Sequence, residues 1–168
     1  MIQTFTSALA LAVALVLIGA ALDGARRPAG LSSAIDAYRL LPDRSGRYAA
    51  WLLVCTEAVS ALLLIAPQTR LAGAVIAVFL VLIFLVAIAV SILRGSTDFD
   101  CGCGGFVALR PGVALLLRNV LLFLACLVVM SVPSQALSVW QCVLAVALAS
   151  VWHILNALIA ATQSPFDD

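Results

Sequence analysis

Cys101 and Cys103 stand one residue apart in Asp98-Phe99-Asp100-Cys101-Gly102-Cys103-Gly104-Gly105-Phe106, the one stretch rich in Gly, Asp and Cys in an otherwise aliphatic chain. Two thiols so placed can exchange electrons by opening and closing a disulfide. A ring closed across a single residue is strained, and strain makes a disulfide easier to reduce and so a better oxidant. Gly102 lets the backbone bend enough for such a ring to close. Asp98 and Asp100 disfavour a neighbouring thiolate, whereas Arg94, Arg110 and a helix N-terminus beyond Pro111 favour it. Cys55, Cys126 and Cys142 lie inside apolar runs, where a thiol acts as a small hydrophobe. No C-x-x-C pair and no zinc-type Cys/His set accompanies the C-x-C, so no metal site is expected. A metal contact and a purely structural turn stay open as readings of the pair.

The elements that hold this stretch are set by composition. Hydrophobic residues make up 65% of the 168 residues and charged ones 10%, far from the balance of a water-soluble domain. Mean hydropathy is +1.21. The basic residues number nine, all of them arginine, and the net charge is +1, which leaves no basic field for nucleic acid. Residues 1–168 read as one integral membrane domain: all-α, a polytopic transmembrane helix bundle of five spans, a four-helix core plus one. The spans are expected at about 6–22, 48–66, 71–93, 113–132 and 136–161, with the cysteine loop at 94–112; runs of this kind can cross a hydrocarbon core of ~30 Å. The first run lacks a basic n-region and reads as a span rather than a cleaved signal peptide. After it, Leu31, Ala34, Ile35, Tyr38 and Leu41 recur at helical spacing, which predicts a short interfacial amphipathic helix. Tyr38 and the nearby arginines suit the headgroup zone, and Pro42 should end the helix. With five spans, this segment and the cysteine loop share a side.

Two charges fall within spans. Glu57, the only glutamate, is near the middle of the second, and Arg118 is a short way into the fourth. Either alone is costly in hydrocarbon, so the two are expected close together, directly or through water, chiefly as a structural pair. Arg118 is also placed to orient a quinone or to steady a thiolate from below. His153 and Asn156, one turn apart, suit a hydrogen-bonded packing pair better than a proton relay.

Cys101-Gly102-Cys103-Gly104-Gly105, followed by a span with Arg118-Asn119 ahead of Leu121-Leu122, resembles the MauE family of MauE/DoxX-type redox-associated membrane proteins. Tyr38-Arg39-Leu40-Leu41-Pro42 and Glu57 also look like that family, and the likeness covers roughly residues 5 to 130. Gly104 departs from it, since many relatives carry an aromatic residue there. The resemblance implies a redox pair at Cys101 and Cys103, with Gly102, Glu57, Arg118 and Asn119 supporting it. It implies a role in methylamine utilisation: maturing the disulfide-rich small subunit of periplasmic methylamine dehydrogenase, with a thioredoxin-like partner of the MauD type. It places the chain in the bacterial inner membrane as a multi-pass protein in contact with lipid, its cysteine loop facing the periplasm. Counting arginines by the positive-inside rule gives the opposite orientation. The arrangement also resembles the vitamin K epoxide reductase bundle, with a lid-like first loop beside a cysteine pair.

The expected activity is membrane thiol–disulfide exchange, an oxidoreductase function, with a quinone as one candidate electron acceptor. Two rivals remain from the residues alone. One is a non-catalytic scaffold that holds a redox partner in the membrane. The other is a transporter of soft metal ions with Cys101 and Cys103 as ligands.

Overall fold

The computed structural model describes residues 2–40, 42, 45–96, 101, 110–131 and 138–163. Among these there are six helices and no strand: α1 (Ile2–Arg26), α2 (Pro28–Ala37), α3 (Gly46–Ile65), α4 (Arg70–Leu93), α5 (Val113–Ser131) and α6 (Val139–Gln163). All but α2 are long and apolar enough to cross a bilayer. The protein is a polytopic helical membrane protein.

α1 occupies the middle of the bundle, packing on α3, α6, α5 and α2, while α4 packs on α3 and α5. Its sequence explains the position. Ala8, Ala10, Ala12, Ala14 and Ala21 are all buried, and small residues let helix backbones approach closely where lipid offers no hydrophobic drive for association. α4, by contrast, is rich in larger apolar groups, and Phe79, Leu82, Ile83 and Val86 face outward. The hairpin of α3 and α4 is held tightly. A Cβ on Gly73 would lie 2.7 Å from the Leu64 nitrogen, so the two backbones touch. Ser60 donates across the same seam from Oγ to the Gly73 carbonyl at 2.9 Å.

The helix ends follow local chemistry. α1 runs past the apolar stretch, through Asp23 and Arg26, until Pro28. Proline cannot donate and bars helical geometry before it, and Arg27 is accordingly non-helical before Pro28 opens α2. α2 stops at Ala37, short of Pro42: Arg39 has φ of +50° and its N–H donates to Asp36 at 3.0 Å, so a left-handed residue ends the helix before proline is reached. Leu41 lies outside the described residues. α4 ends in a Schellman turn, with Gly95 at φ +69° donating to Ile92 and Ser96 donating to Ser91, the pattern that satisfies terminal carbonyls. At the start of α6, Gln141 Oε1 accepts from the Ser138 N–H at 2.6 Å, half of a capping box.

Arg70 opens α4 yet is buried. Its Nε donates to the Leu64 carbonyl at 3.3 Å and its guanidinium to Ser7 Oγ at 3.1 Å. It thereby closes the end of α3 and ties in α1.

Candidate functional site

Cys101 sits beside Tyr38, at the end of the bundle where α4 and α6 finish. Tyr38, Ala87, Ile88, Leu115 and Ile159 surround it, drawn from the end of α2 and from α4, α5 and α6. Its exposure is 2%. Leu115 is two residues into α5 and Ile159 four from the end of α6, so the sulfur lies roughly one turn below the helix ends. Cys101 is disulfide-bonded, whereas Cys55, Cys126 and Cys142 are free. Cys126 is core, and the other two are exposed on the outer surface. Gly102, Cys103, Asp98 and Asp100 lie outside the described residues.

The segment carrying Cys101 is fastened on both sides. The Schellman turn fixes its departure from α4. On the other side the Arg110 N–H donates to Gln163 Oε1 at 2.8 Å, and Gln163 Nε2 donates back to the Arg110 carbonyl at 3.1 Å. Pro111 is buried just before α5 begins.

Tyr38 corrects the sequence expectation. Its spacing suggested a headgroup anchor, but the side chain is 7% exposed and packs in the Cys101 cluster. The reason is the position of α2, which packs along α3 and the end of α1 through Leu31, Ala21, Ala50 and Val54. That seam turns the last residue of the lid inward. The Asp36 carboxylate lies directly against Gly46, at the positive end of α3, where a negative group is favoured. The cysteine segment and the first polar segment are thus on one side, as the span count required.

A turn further into the bundle lies a polar layer. Arg118, 5% exposed, has its guanidinium carbon 4.6 Å from the centre of the Trp152 ring, a cation–π contact. Asn119 is buried and donates from Nδ2 to the Leu115 carbonyl at 2.9 Å. Asn156 is 2% exposed, and its Oδ1 has no hydrogen-bond donor among the described residues. Glu57 is buried in α3, but no ion pair joins it to Arg118 among the described residues. A direct pair is not formed: α3 packs chiefly on α1, α2 and α4, and α5 on α4 and α1. The pairing of His153 with Asn156 fails too. His153 is exposed beside Gly19 of α1, whereas Asn156 turns into the bundle.

Trp152 and Arg70 were missed as partners of buried charge. Trp152 had a legible signal: Gln141, Ala145, Ala149, Trp152 and Asn156 recur every three or four residues, marking one inward stripe. Among the described residues, no three His, Cys, Asp or Glu side chains gather as a metal site.

Residues 2–132 match the family model described as methylamine utilisation protein MauE. The chain is 35% identical over 116 residues to the methylamine utilization protein MauE of Paracoccus denitrificans, covering 68% of this chain and 62% of that one. It is 38% identical over 91 residues to the protein of the same name from Methylophilus methylotrophus, covering 54% of this chain and 48% of the relative. The matches thus span between about half and just under two thirds of the length of these relatives. No solved structure matches the chain. A family match over residues 2–132, most of the chain, establishes that it belongs to the MauE family.

Proposed function

We propose that the protein performs thiol–disulfide exchange at the membrane through Cys101 and Cys103, within methylamine utilisation. The observation that carries this reading is the setting of Cys101: disulfide-bonded, buried among Tyr38 and side chains of α4, α5 and α6, in a chain whose three span cysteines are free. Cys103 is the remaining cysteine and the partner we assign to it. A structural clasp would need no pocket built from three separate helices and Tyr38. The name of the relatives supports the pathway. In this reading the client is the disulfide-rich small subunit of methylamine dehydrogenase, the partner is a thioredoxin-like protein of the MauD type, and the cysteine end faces the periplasm of the inner membrane.

Exchange begins with a thiolate attacking a disulfide and passes through a mixed disulfide. Removing one cysteine should therefore trap the partner. Cys103→Ser and Cys101→Ser variants, quenched with acid and run without reductant, are expected to show a reducible adduct for at least one of the two. If neither forms an adduct and both sustain client maturation, the exchange function is wrong. Labelling by a membrane-impermeant maleimide in intact cells, after reduction, tests the periplasmic orientation; labelling only after permeabilisation would refute it.

A further inference from the structure

Tyr38 is buried with the Cys101 sulfur rather than among lipid headgroups. The two residues are 7% and 2% exposed, and both belong to the cluster formed with Ala87, Ile88, Leu115 and Ile159. Of the side chains in that cluster, Tyr38 alone carries a strong hydrogen-bond donor. A site that needed only a flat apolar filler would be served as well by phenylalanine, which brings no polar tip to satisfy. Two donors one turn deeper on α5 serve other groups. Asn119 Nδ2 donates to the Leu115 carbonyl at 2.9 Å, and the Arg118 guanidinium lies 4.6 Å from the centre of the Trp152 ring.

We infer that the Tyr38 hydroxyl donates a hydrogen bond to the Cys101 sulfur when the disulfide opens, which makes Tyr38 a catalytic residue of the exchange; the inference rests on the exchange function proposed above. The step balances among the sulfurs. An incoming thiolate forms an S–S bond with one sulfur of the pair, the bond within the pair breaks, and its electron pair leaves on the other sulfur as a thiolate. Where Cys101 is the leaving sulfur, the charge appears among side chains of α4, α5 and α6. A thiolate in apolar surroundings is disfavoured, and a hydrogen bond to the charged form offsets that cost. A tyrosine O–H supplies the bond without giving up its proton. Few charged groups compete for this role. α4 and α6 bring none into the cluster, and α5 brings Arg118 one turn deeper. Asp36, Arg39, Arg94, Arg110 and His153 are exposed, and Asp98 and Asp100 lie outside the described residues. All of them stay in place when Tyr38 loses only its hydroxyl, so a comparison of tyrosine with phenylalanine isolates the donor.

The test uses the full-length chain in lipid nanodiscs with Cys55, Cys103, Cys126 and Cys142 replaced by serine, which leaves Cys101 as the single thiol. Thiolate formation is followed against pH by its ultraviolet absorbance, each protein being read against its own Cys101→Ser form. Tyr38→Phe should raise the midpoint by about one pH unit, which is about tenfold less thiolate at a given pH. Ser91→Ala removes a second buried hydroxyl, one turn along α4 from Ile88, and should leave the midpoint in place. Phenylalanine keeps the ring, so a packing role for Tyr38 predicts no shift. If Tyr38→Phe titrates with its parent, or if Ser91→Ala shifts the midpoint as far, the inference is overturned while the exchange function stands. A parent that forms no thiolate before its tyrosines ionise overturns it as well. The exchange function is read separately by the trapping experiment above, whose adduct requires no hydroxyl at position 38.

Discussion

Tyr38 should control access to the disulfide. Tyr38, just past the end of α2, packs in the cluster that buries Cys101, and a thiol from water must displace that cover to reach the sulfur. Tyr38 is 7% exposed, and a buried tyrosine ring hides ~150 Å² or more, worth about 4 kcal/mol at ~25 cal/mol per Å². Part of the seam stays closed when the cover lifts, so truncation is expected to ease opening by about 2 to 3 kcal/mol. That corresponds to about a 30- to 150-fold rise in the open population. The assay is the rate of reduction by a water-soluble phosphine, read by mass-tagged maleimide, in protein lacking Cys55, Cys126 and Cys142. Tyr38→Ala should be reduced faster by that factor, and Tyr38→Phe should stay within a few-fold of the parent because the ring remains. Equal rates for parent and Tyr38→Ala would refute the lid, as would equal acceleration by Tyr38→Phe.

Three further outcomes follow from the packing. Gly73→Leu drives a side chain into the Leu63–Leu64 backbone; overpacking of this kind costs about 1 to 3 kcal/mol and should lower the thermal midpoint in detergent. Arg70→Met removes the two hydrogen bonds to Leu64 and Ser7 and should destabilise by about 2 to 4 kcal/mol, seen as earlier unfolding in a denaturing-detergent titration. Gln163→Leu opens the two-way contact with the Arg110 backbone; amide exchange at residues 110 to 113 should rise about tenfold, with no change in α3 or α4.

The five spans and the short helix after the first were legible because hydropathy runs and Pro/Gly punctuation are local properties. The first helix nevertheless runs past the expected 6–22 to Arg26, where Pro28 ends it. The pairing of buried charge was not legible. Glu57 and Arg118 are the obvious couple by type, yet which helices become close neighbours depends on how alanine-rich α1 takes the centre, and α3 and α5 each pack chiefly on other helices. Arg118 instead lies on Trp152. Tyr38 was read as an anchor because an amphipathic stripe reports which residues share a face, not whether that face meets lipid headgroups or another helix. Cys101 was recognised by its Gly/Asp surroundings, but those residues gave no hint that it is buried among Tyr38 and side chains of α4, α5 and α6.

The clasp between Arg110 and Gln163 sets a leash on the sulfur. With the chain fixed at Arg94 by the turn ending α4 and at Arg110 by α6, Cys101 is tethered seven residues from one post and nine from the other. An extended chain spans at most ~3.5 Å per residue, so Cys101 can swing no farther than about 25 Å from the end of α4 without unravelling a helix. In the exchange reading proposed above, a partner's active sulfur meets Cys101 within that radius.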